Sequence, residues 1–237
     1  MKRNRTSMIL AWLGVVLLLA GLVSSAEAST VPERRIEDSV NVLREMSSQE
    51  DCGTMSDLLA RAQGVAIFPS VVKVGLGLGA RYGKGIVLKR DLATGRWYGP
   101  SFVEMMGVSY GLQLGVQSTA LVLVITNQGG MKSFEEGTFT FGGDVTVAAG
   151  PLGRHLEAAT DTQLKASIYS YSMSKGAFIG FSLEGAKVTP DESSNELYWK
   201  TAASPSELLR REARDSRIRP LIGELNALVL RAGRKVI

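Results

Sequence analysis

The chain has 237 residues, 45% of them hydrophobic and 21% charged, which excludes a disordered or fibrous protein and provides for a sizeable core. Lys and Arg outnumber Asp and Glu by 27 to 23, a net +4 too mild for a dedicated nucleic-acid binder. One cysteine, Cys52, excludes an internal disulfide, and one histidine, His155, excludes a multi-histidine metal site.

Lys2, Arg3 and Arg5 precede an unbroken apolar run from Ile9 to Val23, and Ala26-Glu27-Ala28 follows as a small-x-small pattern. Residues 1–28 therefore read as an export signal cut after Ala28. The alternative is a retained anchor, but the run falls short of the about 20 residues a span needs. The chain is expected to be exported, periplasmic or secreted, with membrane association left open, and Cys52 then reads as a buried hydrophobe.

Residues 32–49 read as an amphipathic helix, with Pro32 in the first turn and Ile36, Val40, Leu43 and Met46 at helical spacing on one side. A short second helix starts at Thr54, with Asp57 completing a capping-box pattern, and ends by Gly64. The period then changes to two. A strand at 65–68 is closed by Pro69. In 71–80, Val74, Leu76, Leu78 and Ala80 alternate with Gly75, Gly77 and Gly79, and 110–117 repeats the device. Two glycine-faced strands predict a strongly curved sheet or one covered tightly by a helix. Further strands are expected at 85–89, 101–105, 120–126, 138–141 and 145–149, with turns at 127–130 and 150–153 and a hairpin of 167–173 with 177–183. A short helix at 191–199 leads to a helical tail, 204–237, opened by Ser204, Pro205 and Glu207 and striped by Leu221, Leu225, Leu228 and Ala232. The predicted fold is α+β: one domain over 29–200, a curved antiparallel sheet or partly closed barrel, with flanking N- and C-terminal helices and the tail from 201 onward.

Several motifs fail on context. Gly75-x-Gly77-x-x-Ala80 matches a loose dinucleotide fingerprint, but no helix can start in the Arg81-Tyr-Gly-Lys-Gly85 that follows. Gly79 to Lys84 has one residue too few for a P-loop. Arg81 and Lys84, beside glycines, suit a phosphate or are simply solvated turn charges. Gly107-Val-Ser109-Tyr-Gly111 has the spacing of a nucleophile elbow, with Asp144 and His155 in the right chain order, but it precedes a glycine-alternating strand instead of a helix. His155 has only Glu157 and Asp161 near it, a poor metal set. Tyr169 and Tyr171 share one face of a strand and read as sheet packing. No catalytic residue, metal or cofactor is expected.

Taken together, Gln63-Gly-Val-Ala-Ile-Phe-Pro69, Lys73 to Arg81, Gly83-Lys-Gly85, Trp97-Tyr-Gly-Pro-Ser101, Gly111-Leu-Gln-Leu-Gly115, Leu121-Val-Leu-Val124, Ala148-Ala-Gly-Pro-Leu-Gly-Arg154 and Gly176-Ala-Phe-Ile-Gly-Phe-Ser-Leu-Glu-Gly185 resemble the SYLF domain family. The match runs from about Arg34 to Tyr198, and more loosely into the tail. The resemblance implies a non-enzymatic module. Eukaryotic relatives bind phosphoinositides through an N-terminal amphipathic helix and basic residues, and some bind and bundle actin. This chain, with its export signal, is similar to the bacterial envelope members. An anionic membrane lipid is then the expected partner, actin is not expected, and an envelope protein partner is the alternative. The lipid-binding candidates are Arg34, Arg35, Arg44, Lys73, Arg81 and Lys84, and the membrane-contacting candidates are Ile36, Val40, Leu43 and Met46. For that helical stripe, packing against the sheet is the competing reading.

Overall fold

The computed structural model describes residues 30–49, 52–150 and 166–233. The export signal expected at 1–28, the stretch from Pro151 to Arg154, and His155 with Glu157 and Asp161 lie outside them.

Six helices and a seven-stranded sheet make up the described chain. Helix α1 (Val31–Ser47) and helix α2 (Gly53–Ala60) lead into two very long strands, β1 (Gly64–Arg90) and β2 (Trp97–Ile125), joined by the turn at 91–96. Then follow α3 (Gln128–Glu136), β3 (Phe139–Thr140), β4 (Val147–Ala149), β5 (Ile168–Ser174), β6 (Ala177–Phe178), β7 (Lys187–Pro190), α4 (Glu192–Trp199), α5 (Pro205–Leu208) and α6 (Arg219–Gly233). Strand β2 is the hub: it pairs antiparallel with β1 along its length, with β7 through Val103–Met106 and with β5 through Ala120–Ile125.

The expected α+β fold and curled sheet are present, with differences in detail. The strands expected at 65–68, 71–80 and 85–89 are one strand, because Pro69 sits at an irregularity between Phe68 and Val71 where no ladder donor is needed. The sheet is mixed: β4 runs parallel to β5. The turn expected at 127–130 opens α3, whose N-cap Asn127 accepts from the Gly130 amide. Helix α2 begins one residue before Thr54, without a side-chain cap. Ser204 and Glu207 form the expected capping box, and Leu221, Leu225 and Leu228 of α6 are buried.

The sheet is buried on both faces near its ends, which explains the unbroken apolar runs 65–68 and 121–125. Val65, Ile67, Ile86, Leu88, Phe102, Val122 and Val124, with Tyr169 and Tyr171, face α1, α2 and α6. The alternate residues Ala66, Phe68, Val87, Val103, Leu121, Leu123 and Ile125 line the concave face, closed by Met131 and Phe134 of α3 and by Phe139 and Phe141.

Strand β1 doubles back on itself across that concave face. A Cβ on Gly64 would lie 2.6 Å from the Leu88 carbonyl oxygen. One on Gly83 would lie 3.0 Å from that of Ser70, and one on Gly85 2.8 Å from that of Ile67 and 2.6 Å from the Phe68 ring. The Arg90 amide donates to the Gln63 carbonyl at 2.7 Å, tying the two ends together. The curl thus needs glycine where the two halves touch.

Gly85→Ala should therefore lower the unfolding free energy by about 2 kcal/mol, the usual scale of overpacking beside an immovable backbone. Gly223→Ala, inside α6 with nothing within 4 Å of the new methyl, should raise it by about 0.5 kcal/mol or slightly more. Urea denaturation of the two variants measures both.

Candidate functional site

The structure separates the residues that the sequence grouped. Ile36, Val40, Leu43 and Met46 form a single stripe on α1, but it is the packed face: all four are buried in the core against the sheet and α6. As folded, they do not contact a membrane, and the packing reading is the one observed.

Two of the six basic candidates converge on a buried carboxylate. Asp191, which caps α4, is 3% exposed. Arg35 Nη2 donates to its Oδ2 at 2.9 Å and Lys84 Nζ at 3.1 Å. The Ser194 hydroxyl donates to Oδ2 at 2.7 Å, and the Ser193 hydroxyl to Oδ1 at 2.8 Å. Lys84 also pairs with Glu104, its cross-strand neighbour, at 2.7 Å. Burial alone would raise the Asp191 carboxyl, but the hydrogen bonds from Ser194, Ser193, Arg35 and Lys84 together outweigh it and hold the group well below the carboxylate range. The Glu104 bond, with Asp191 behind it, raises the Lys84 ammonium. Arg35 also stacks over Phe102, whose backbone amide and carbonyl are held by Asn195 of α4. These cations tie α1 and α4 to the sheet and are not free for an external ligand. Arg44 pairs with Glu224 of α6 at 2.7 Å on the surface, and Arg34 is exposed on α1.

The remaining two candidates meet. Lys73 and Arg81 line a cavity of about 710 Å³ with Gln117, Val108 and the segment 179–185. Arg81 is 7% exposed. Its Nη2 donates to the Val108 carbonyl at 2.8 Å and the Glu184 carbonyl at 3.2 Å, and its Nη1 to the Ser182 carbonyl. No carboxylate pairs with it among the described residues, and its Nε has no partner. Burial accordingly lowers the guanidinium from its ordinary value. Lys73, half-buried, stands opposite Gln117 on the neighbouring strand. A buried cation satisfied only by carbonyls, with a second cation at the same cavity, is a set that attracts an anion. Glu184, exposed on the rim, is the acid beside it. A second cavity of about 720 Å³, between the 91–96 turn and α3, is less suited: its Lys89 is already paired with Glu135 at 2.7 Å, and Arg90 donates to the carbonyls of Leu59 and Ala60.

The enzyme-like motifs dissolve into the sheet. Ser109 lies within β2 opposite Gly79, strand on both sides, so the strand-to-helix turn of an elbow is absent there. Tyr169 and Tyr171 are core residues.

Sequence reading missed one feature. Val74, Tyr82, Met106, Val108 and Val116 are 51%, 42%, 48%, 53% and 74% exposed. Val74 faces Val116 directly across the hairpin, exposed Ala80 faces Val108, and Tyr82 faces Met106. Counting outward from the 91–96 turn would have paired Tyr82 with the buried Met105, because an irregularity between Val87 and Lys89 shifts the register by one residue, so no sequence signal located this patch.

A family model described as "Ysc84: Las17-binding protein actin regulator" matches residues 106–228. Among curated relatives, the SH3 domain-containing YSC84-like protein 1 of Xenopus laevis is 38% identical over 143 residues, covering 60% of this chain and 42% of the relative. The LAS seventeen-binding protein 3 of Saccharomyces cerevisiae is 37% identical over 167 residues, covering 69% and 35%. Protein YSC84 of the same yeast is 38% identical over 145 residues, covering 60% and 31%. The chain thus spans less than half the length of these relatives. The expectation that actin is not a partner finds no support in these descriptions.

Leu43→Ala should lower stability by about 3 kcal/mol, as truncation at a fully buried leucine does. Asp191→Asn should lower it by a similar order, because Arg35 is left buried without its counter-ion. Since the folded carboxyl sits below its unfolded value of about 3.9, its contribution is present at neutral pH and fades as pH falls below about 4. Thermal melts from pH 7 down to pH 3 should show a shallower acid loss in Asp191→Asn than in the wild type.

Proposed function

The chain belongs to the Ysc84 (SYLF) family, and on that premise we propose that it is a non-enzymatic module that attaches reversibly to an anionic lipid surface in the cell envelope, reached through export directed by residues 1–28. The observation that carries this reading is the cavity that brings together Lys73 and Arg81, neither of them neutralised by an acidic side chain among the described residues. The cavity lies on the concave face of the uncovered middle of the hairpin, and the exposed Val74 and Val108 lie on the opposite face, so one stretch of the hairpin carries both the cationic and the apolar groups that peripheral membrane binding uses. Among the described residues no helix is long and apolar enough to cross a membrane, which suits attachment through a surface patch. The helix stripe on α1 has no part in this attachment.

A second reading draws on the name of the yeast relative, LAS seventeen-binding protein 3, which describes binding of a protein. In that reading the same module is a scaffold for an envelope protein, and lipid plays no part.

Co-sedimentation of the full chain with phosphatidylcholine vesicles, with and without phosphatidylglycerol, tests the choice. The membrane reading predicts binding to the anionic vesicles only, weakened by salt. Lys73→Glu should weaken it further, with two charge units lost at about 1 kcal/mol each. Arg35→Lys should leave binding unchanged, because Arg35 faces Asp191. Absence of binding to any vesicle would favour the scaffold reading.

A further inference from the structure

The sheet's outer face changes character along its length. Near the ends of the hairpin, Ile86, Leu88 and Phe102, and Val122 and Val124, lie under the helices. The period-two alternation carries the same face onward to Tyr82, Met106 and Val108 from one side, and to Val74 and Val116 from the other. There the helix layer stops. The boundary is polar: the Lys84–Glu104 rung and Asp191 stand between the covered part and the first exposed rung, Tyr82 with Met106. Beyond it the two successive rungs Tyr82–Met106 and Ala80–Val108 are apolar and in solvent, and so is the Val74–Val116 rung farther along the same face. Scattered exposed apolar residues are ordinary, but successive rungs on one face are a patch and mark an interaction surface.

The charges around the patch select its occupant. Lys187 extends the Tyr82–Met106 rung onto β7, directly opposite Met106, and is exposed. Lys175 is exposed at the β5–β6 turn, just after Ser174, whose hydroxyl donates to the Ser118 carbonyl two residues beyond Val116. Neither forms an ion pair among the described residues. Lys73, next to Val74 in the strand, points to the opposite, concave face and is not part of this margin. Glu104 is neutralised by Lys84, and the acids near this end are Glu184, at the cavity rim, and Glu45 of α1, whose carboxylate stands by Gly176 next to Lys175. An apolar centre with cations at its margin matches an anionic bilayer, where apolar side chains enter the acyl boundary and lysines stay with the headgroups. We infer that the middle of the β1–β2 hairpin, through Val74, Tyr82, Met106, Val108 and Val116, is the element that enters the lipid. This rests on the membrane reading above and replaces α1 as the inserting element.

The test uses the full chain and vesicles of phosphatidylcholine with phosphatidylglycerol. Val108→Asp and Val116→Asp change exposed side chains, so their circular dichroism and melting midpoints should match the wild type. Their vesicle binding should fall about tenfold or more. In a Cys52→Ser background, an environment-sensitive fluorophore on Val116→Cys should brighten severalfold with vesicles and be quenched by brominated acyl chains. The same fluorophore on Arg34→Cys should do neither. If the wild type binds and the aspartate variants bind equally, or if the label at position 34 is the one that enters, the inference fails while the membrane reading stands. If the wild type binds no vesicle, both fail. Brightening at position 116 that follows protein concentration without vesicles would assign the patch to a second copy of the chain and overturn the inference.

Discussion

Contact between the two halves of β1 is the constraint from which the rest of the structure follows. A strand of 27 residues would make a long, open twisted ribbon with its partner unless something allowed it to bend over itself. Gly64, Gly83 and Gly85 allow it, because a Cβ on Gly64 or Gly85 would come closer to a carbonyl oxygen than a side chain can stand, and one on Gly83 would press on the Ser70 carbonyl and Val71. Once the hairpin curls, one face becomes a concave core filled by Phe68, Val71, Val87 and Leu123. The other becomes a convex surface that α1, α2 and α6 cover only near the hairpin's ends. The uncovered middle is thus a consequence of the curl together with a helix layer shorter than the strands.

The polar node at Asp191 marks where that cover ends. Arg35 from α1, Lys84 from β1 and the N-terminus of α4 meet at one carboxylate. A buried charge with several partners fixes geometry more than it adds stability, since removing any one partner leaves another uncompensated. It also removes from consideration cations that would otherwise look available to a lipid headgroup. Arg81 is the opposite case: a buried guanidinium held by carbonyls of β2 and of 182–184, with no acid to neutralise it among the described residues. The positive charge that remains therefore sits on the concave face of the hairpin, behind the exposed apolar rungs.

Much of the fold was legible in sequence because it follows from local periodicity. The stripe of α1, the alternating glycines, the Ser204 capping box and the leucines of α6 all repeat at helix or strand spacing, and all were found in place. The direction in which an amphipathic stripe faces is a different matter. Ile36, Val40, Leu43 and Met46 have the same spacing whether they meet a sheet or a bilayer, and only the tertiary structure decides. The same holds for the cations. Arg35 and Asp191 are 156 positions apart, so no spacing rule joins them. The exposed rungs were hidden for a third reason: Tyr82, Met106 and Val108 fall between strands that were read as separate. Pro69 and the glycines punctuate a strand without ending it.

Hydrogen–deuterium exchange of the full chain, with and without phosphatidylglycerol-containing vesicles, sets these ideas against one another in a single experiment. If the hairpin meets the lipid, new protection on adding vesicles should centre on 73–82 and 106–117, with the amides of α1 already protected and unchanged. New protection confined to 31–47, with the hairpin exchanging as before, would contradict that account and return the attachment surface to the first helix.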